Sequence, residues 1–329
     1  MLAFRAADSP EQEAVSAAAA FSIQAYLHLA HGVYQLGRTE EAHGLLERAF
    51  AVAQESGAGD PRCARLFNEL GVIEARRGNY GAAERHLKRG IAILERTFPM
   101  PEEALPMALS NLGAVYRRMD RPGAARLALE RALTLAEPKQ GEPGLPAAWA
   151  LDQLGDLEAA ENNIPAAVCL LHRALAIKER VLGPVDWDVA VTLDRLGALY
   201  ATQARYNEAE TLLLRVVAIR GQSRDWEGPA LARPLARLAL IYTRQQKTIR
   251  AEHLVRYALK LFTVVLPPSH QEIQGCLNLL AEIYRSLGRF ADGDAVSKLA
   301  NGLANGTRDG SELKRLVSSK PPRIAGPGA

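Results

Sequence analysis

The chain has 329 residues, 48% hydrophobic and only 6% aromatic, with 40 basic against 37 acidic side chains and a net charge of +3. So even a balance argues against a general polyanion binder, and no stretch approaches the ~20 apolar residues of a membrane-spanning helix. Three scattered cysteines, Cys63, Cys169 and Cys276, have no metal-ligand spacing and speak against a disulfide scaffold.

Residues 1–22 come first. Met1 to Gln12 carries Arg5, Asp8 and Glu11 and has no apolar run of signal-peptide length, so a cytoplasmic location is expected. Ser9-Pro10-Glu11 starts a helix that runs on towards Tyr26 as an N-terminal cap. From residue 23 to 302 one pattern returns every 42 residues: Leu70-Gly71, Leu112-Gly113, Leu154-Gly155, Leu196-Gly197, Leu238-Ala239 and Leu280-Ala281. Twelve residues past each Gly or Ala stand Ala83, Ala125, Ala167, Ala209, Ala251 and Gly293; a first unit, shifted by one, has Leu29-Ala30 and Ala42. A fixed period in this range means a stacked repeat array with a shared core.

In the third unit Leu109, Leu112, Gly113 and Tyr116 share one face of a first helix, and Ala125, Leu129 and Ala132 mark the inner face of a second. Small residues at Gly113 and Ala125 permit close approach. The turn positions Gly37, Gly78, Asp120, Asn162, Ala204, Gln246 and Gly288 favour residues that tolerate a left-handed helix end. Connections at Ser56 to Pro61, Phe98 to Pro101, Pro138 to Pro146, Gly183-Pro184, Gly228-Pro229 and Pro267-Pro268 recur where second helices end. Residues 303–329 turn polar and are expected to be mostly disordered, apart from a short helix at Glu312 to Val317.

The unit resembles the tetratricopeptide repeat, L-x2-L-G-x2-Y followed by A-x3-L/F-x2-A. Units three, five, six and seven carry the Tyr; Val33, Glu74 and Glu158 replace it in units one, two and four. The 42-residue length, Arg173 to Pro184 and Val189-Ala190-x-Thr192-Leu193-x-x-Leu196-Gly197 are similar to kinesin light chains and bacterial relatives. HEAT and armadillo arrays share the period, but the small-residue pair twelve apart with Tyr between argues against them. The resemblance implies an all-α fold, a right-handed superhelical solenoid of about seven helix-turn-helix units. It also implies a non-catalytic interaction scaffold or adaptor that takes a peptide along the face of its first helices.

No nucleophile, metal or phosphate-loop signature stands out, so no catalytic residue, metal or cofactor is expected. His28 and His31, three apart, are read as a surface pair, and His270 as a structural loop residue. The presented first-helix face carries Arg65, Asn68, Asn111, Arg117 and Arg118 in units two and three, with Trp149 as an aromatic anchor in unit four. Arg195, Arg233, Arg237 and Arg244 follow in units five and six, and Asn278 in unit seven. A guanidinium fork matches a carboxylate with two bonds, so the expected partner is a protein or peptide of acidic or carboxylate character, not nucleic acid. Chaperone-adaptor members of the resembled family clamp a terminal carboxylate with Lys, two Asn, Lys and Arg. Arg233 and Arg237 match the last two places; Asp152, Asp156 and Arg195 depart from the earlier ones. A sensor of a small ligand or signalling peptide, and a self-assembling scaffold, are the alternatives.

Overall fold

The computed structural model describes residues 10–35, 38–55, 62–96, 103–137, 141–221, 229–308 and 310–318. Among them there is no strand, and fourteen helices follow one another as seven hairpins. These are α1 (Pro10–Gln35) with α2 (Thr39–Glu55), α3 (Arg62–Arg76) with α4 (Tyr80–Leu94), and α5 (Ala104–Arg118) with α6 (Pro122–Ala136). Then come α7 (Leu145–Ala160) with α8 (Ile164–Leu182), α9 (Trp187–Thr202) with α10 (Tyr206–Arg220), α11 (Ala232–Arg244) with α12 (Thr248–Val265), and α13 (Gln271–Ser286) with α14 (Phe290–Ala304). A short α15 (Ser311–Ser318) follows. The chain divides into two compact bodies, Met1–Ile177 and Lys178–Ala329. The expected features at Gly37, 56–61, 98–101, Pro138 and Gly228, and the tail beyond Ser318, lie outside the described residues.

Four of the seven hairpins close on the same contact. A methyl group on Gly71 would lie 2.5 Å from Cγ of Leu87; on Gly113, 2.5 Å from Leu129; on Gly155, 2.8 Å from Leu171; on Gly197, 2.9 Å from Leu213. The first helix thus lets the branch of a leucine sixteen residues on rest against its bare backbone, where a side chain would overpack. In the sixth repeat Ala239 replaces the glycine, and position 255 is the smaller Val, fully buried with it. The volume removed from one helix reappears on the other. The first repeat keeps both Ala30 and Leu46.

The turns are built alike. Gly78, Asp120, Asn162, Ala204, Gln246 and Gly288 all have φ between 55° and 83°. Each lets the next amide donate back five residues: Asn79 to Glu74, Arg121 to Tyr116, Asn163 to Glu158, Arg205 to Tyr200, Lys247 to Tyr242 and Arg289 to Tyr284, at 2.8–3.0 Å. This closed helix end brings together the side chains that flank the bond. In three of the four Tyr turns the second is a cation that covers the ring: Arg205 on Tyr200 at 4.2 Å, Lys247 on Tyr242 at 5.0 Å, Arg289 on Tyr284 at 4.0 Å; over Tyr116 the cation is Lys88, at 5.8 Å. Where the first is Glu, the second is Asn, whose Nδ2 donates to the carboxylate at 2.7 Å in both Asn79–Glu74 and Asn163–Glu158. Glu74 and Glu158 are therefore a second form of the same turn.

In most repeats the preceding one supplies a complementary polar partner to the turn. Facing the Tyr-and-cation turns stand Glu84, Glu210 and Glu252, paired with Arg121 (3.5 Å), Lys247 (3.0 Å) and Arg289 (3.3 Å). Facing the Glu turns stand His43, 2.7 Å from Glu74, and Arg126, 2.6 Å from both Glu158 and Glu161. In the fifth repeat Arg205 instead pairs with its own Glu208. The Arg and Lys pairs among these are half-sheltered between helices, where a cation and a carboxylate are worth more than at an open surface.

A pH dependence follows. Burial alone would raise the Glu74 carboxyl, but bonds from Asn79 and Arg77 and the charges of Arg77 and His43 outweigh it and hold the group below its ordinary 4.5. Glu210 is held low in the same way, against burial, by Lys247 and its neighbours. A depressed folded-state pKa gives stability that is present above the unfolded value and lost as the pH falls below it. The melting temperature should therefore fall as the pH drops below about 4.5, and Glu74→Gln should flatten that fall; equal slopes would exclude Glu74 from it.

Candidate functional site

The first helices present their remaining face beside one another within each body. In the amino-terminal body Arg65 and Arg118 are exposed, Asn111, Arg117 and Trp149 half-buried, and Asn68 buried. Asn111 Nδ2 donates to Asn68 Oδ1 at 2.9 Å, so α3 and α5 are stitched by an amide pair. Arg117 reaches Asp156 on α7 at 3.3 Å. Burial raises the Glu69 carboxyl, against the opposing charges of Arg65 and His31. Much of the expected binding chemistry here is spent between the helices.

The carboxy-terminal body tells the same story for charge but adds a cavity. Arg237 pairs with Asp194 on α9 at 2.5 Å, Arg233 Nε donates to Glu272 on α13 at 2.9 Å, and Arg244 Nη1 to Glu282 at 2.7 Å. Arg195 is half-buried on α9. Arg220, absent from the sequence reading, ends α10 buried against Trp187, its guanidinium 5.1 Å from the ring and its Nη1 donating to Ala230 O. Its burial lowers its pKa; Asp194 opposes that, while Arg237 and Arg233 reinforce it. Arg220, Arg233 and Arg237 thus lie within reach of one another's charge, with Asp194 and Glu272 paired to the last two.

Between α11 and α13 opens a cleft of about 490 Å³. Ala236, Leu240 and Leu279 give it an apolar floor, and Arg233, Arg237, His270 and Glu272 stand among its walls. It exists because Gly275 occupies the place that Arg65, Trp149 and Arg233 hold in other repeats, with open space where a side chain would be. His270 caps α13, its Nδ1 accepting from the amide of Glu272 at 3.2 Å, which fixes the Glu272 carboxylate opposite Arg233. Burial pushes the Cys276 thiol in the wall up to about 12, so it is an inert, packed sulfur. Asn278 is exposed on α13, outside the cleft lining. The arrangement can hold an anion beside a small apolar group. Among the described residues no group of His, Cys, Asp and Glu is placed to hold a metal ion, and no helix is long and apolar enough to cross a membrane. His28 lies 2.9 Å from the Gln24 amide nitrogen.

Paired helices with a small-residue contact, a left-handed turn and a 42-residue period define an all-α repeat protein of the helix-turn-helix type. The tetratricopeptide repeat model matches residues 21–96, 105–180 and 146–222. The chain belongs to the tetratricopeptide repeat family. Its fold is similar to BtubC (BKLC) from P. vanneervenii, at 17% identity and a TM-score of 0.56, covering 73% of this chain and 96% of that one. A putative kinesin light chain repeat protein from Podosopora anserina gives 19% identity and a TM-score of 0.51, over 61% and 95%. The apo form of RapI gives 13% and 0.60, over 90% and 98%. No curated protein matches the sequence. Repeats of this family serve as protein–protein interaction scaffolds.

Proposed function

We propose that this chain is a non-catalytic adaptor that holds an extended segment of a partner protein against its first helices, with the cleft between α11 and α13 as the principal site. The observation that carries this reading is the cleft's composition: an apolar floor of Ala236, Leu240 and Leu279 beside Arg233 and Arg237. Its occupant is a carboxylate next to a small aliphatic side chain, as an acidic residue or a chain terminus supplies. Glu272 engages Arg233 through Nε. The terminal nitrogens of that fork are the ones a ligand carboxylate would meet, in a charge-assisted pair. Arg65, Arg117, Arg118, Asn111 and Trp149 form a secondary contact area in the amino-terminal body. Three free cysteines suit a cytoplasmic protein.

The test is the double variant Arg233→Ala/Arg237→Ala. Partner captured by crosslinking from lysate is titrated against wild type and variant at low and high salt. Affinity should fall by about tenfold or more in the variant and fall with salt only in the wild type, because exposed charges are screened beyond ~8 Å. Equal affinities in all four titrations would remove the cleft from the site. A variant at Gly275→Leu, which fills the cleft without touching a charge, should weaken binding without changing the salt slope.

A further inference from the structure

We propose that the outward face of α1 is an interface between two copies of this chain, which pair across a two-fold axis with their first helices antiparallel. The surface belongs to the first repeat and is independent of the cleft between α11 and α13. Its character follows from the repeat. In the second repeat Leu66, Leu70 and Ile73 are 0–2% exposed, packed against the helices of the first. In the third, Ala108, Leu112 and Val115 are buried in the same way against α4. The equivalent positions of α1 are Ala25, Leu29 and Gly32. The first helix thus keeps the packing face but leaves it open. Leu29 is 56% exposed, Phe21 78%, and a methyl group on Gly32 would meet nothing within 4 Å. Phe21, Ala25, Leu29 and Gly32 follow at i, i+4, i+8 and i+11, one stripe along the helix.

A repeat array needs a polar outer face on its terminal units to stay soluble. On α14, the last helix of the repeats, Asp292, Asp294 and Lys298 interrupt the exposed face. Nothing interrupts α1, which from Phe21 to Gln35 has no Asp, Glu, Lys or Arg. Such a face offers a charged partner nothing to pair with and does not repel its own copy. The order of sizes selects that copy: large, small, large, small. With the axis level with Leu27, Leu29 of each copy lies opposite the partner's Ala25, and Phe21 reaches the partner's Gly32. Every large side chain then meets a small residue, the condition for close helix packing. A parallel pair would set Phe21 on Phe21 and leave the small residues across a gap. The antiparallel contact is isologous, so it closes at two copies.

Sedimentation velocity of the full chain should show a species of twice the chain mass that dissociates on dilution. Leu29→Glu and Ala25→Arg should each weaken self-association by about a hundredfold or more, since the two-fold axis enters each substitution twice. Circular dichroism checks that both variants remain folded. Mixing them reads the register. The introduced carboxylate of one copy then faces the introduced cation of the other, and the mixed pair should form at least about tenfold more tightly than either variant with itself. In the unmutated chain, hydrogen exchange at residues 21–33 should slow as concentration rises; this arm decides the matter if a variant misfolds. A wild-type chain that is monomeric at all concentrations would overturn the inference. So would a dimer that neither substitution weakens, or a mixture no tighter than its parts. A monomer whose residues 21–33 lose protection when residues 1–9 are deleted would assign the face to the chain's own leading segment. Protection gained only on adding phosphatidylcholine vesicles would assign it to a membrane surface. Either assignment overturns the inference too.

Discussion

Gly113→Ala should destabilise the amino-terminal body by about 2 kcal/mol, although alanine is the better helix former. The added carbon would lie 2.5 Å and 2.6 Å from Cγ and Cδ2 of Leu129 and 3.3 Å from the carbonyl of Ala125. Leu129 is fully buried and meets the new carbon with its branch as well as its tip, so the packed surroundings must shift with it. Overpacking of this kind costs ~1–3 kcal/mol, here near the upper end, and the helix preference of alanine over glycine offsets about 1 kcal/mol of it. The sixth repeat supplies the rescue, since Ala239 stands there with Val255. Leu129→Val alone should cost about 1 kcal/mol for the cavity it leaves. The double variant should be no worse than that, giving a coupling of about 2 kcal/mol in a double-mutant cycle read by urea denaturation. Additive costs would show that the two side chains do not share the space assigned to them.

Arg126→Glu should cost about 3 kcal/mol. It removes the cation that lies 2.6 Å from Glu158 and from Glu161 and puts a third carboxylate beside them. Glu158 is only 8% exposed, and stripping a buried charge of its partner costs several kcal/mol, less here because the arginine is partly solvated. Asn163, still bonded to Glu158, cannot supply the missing charge. The other turn form can: Glu158→Tyr with Asn163→Arg, added to Arg126→Glu, rebuilds the arrangement that Tyr242, Lys247 and Glu210 make in the sixth repeat. That triple variant should recover most of the loss in thermal melts. A triple variant no more stable than Arg126→Glu would mean that the two turn forms are not interchangeable.

The architecture was legible because its determinants are local. Leu-Gly pairs, the alanines twelve residues on and the turn residues act within one hairpin, and the period displays them repeatedly. Ala204 and Gln246 take the left-handed conformation although neither residue favours it, because the repeat imposes the turn. What the sequence concealed lies between repeats. Arg117, Arg233, Arg237 and Arg244 read as a basic face, yet each meets a carboxylate 38 to 43 residues away, a distance that only the stacked helices convert into contact. Asn68 reads as exposed but is buried by its bond to Asn111. Glu74 and Glu158 look like departures from the tyrosine signature until Asn79 and Asn163 are seen beside them. The cleft at Gly275 leaves no positive mark, since it results from a missing side chain. Leu313 sits in a polar stretch whose buried face is a single residue wide.

The alternating charges at the repeat junctions also constrain how such a gene can grow or shrink. Unequal crossing-over that removed residues 85–126, one full period, would leave the helical register intact but bring Glu84 against Glu158, acid against acid. Removal of residues 211–252 would instead bring Glu210 to Tyr284 and Arg289, the combination already made by Glu252. Copies of the unit are alike in length and fold, but only some junctions can be spliced. The order of the repeats is thereby inherited as a sequence of matched ends, and drift in one unit is tolerated only when its neighbour drifts with it.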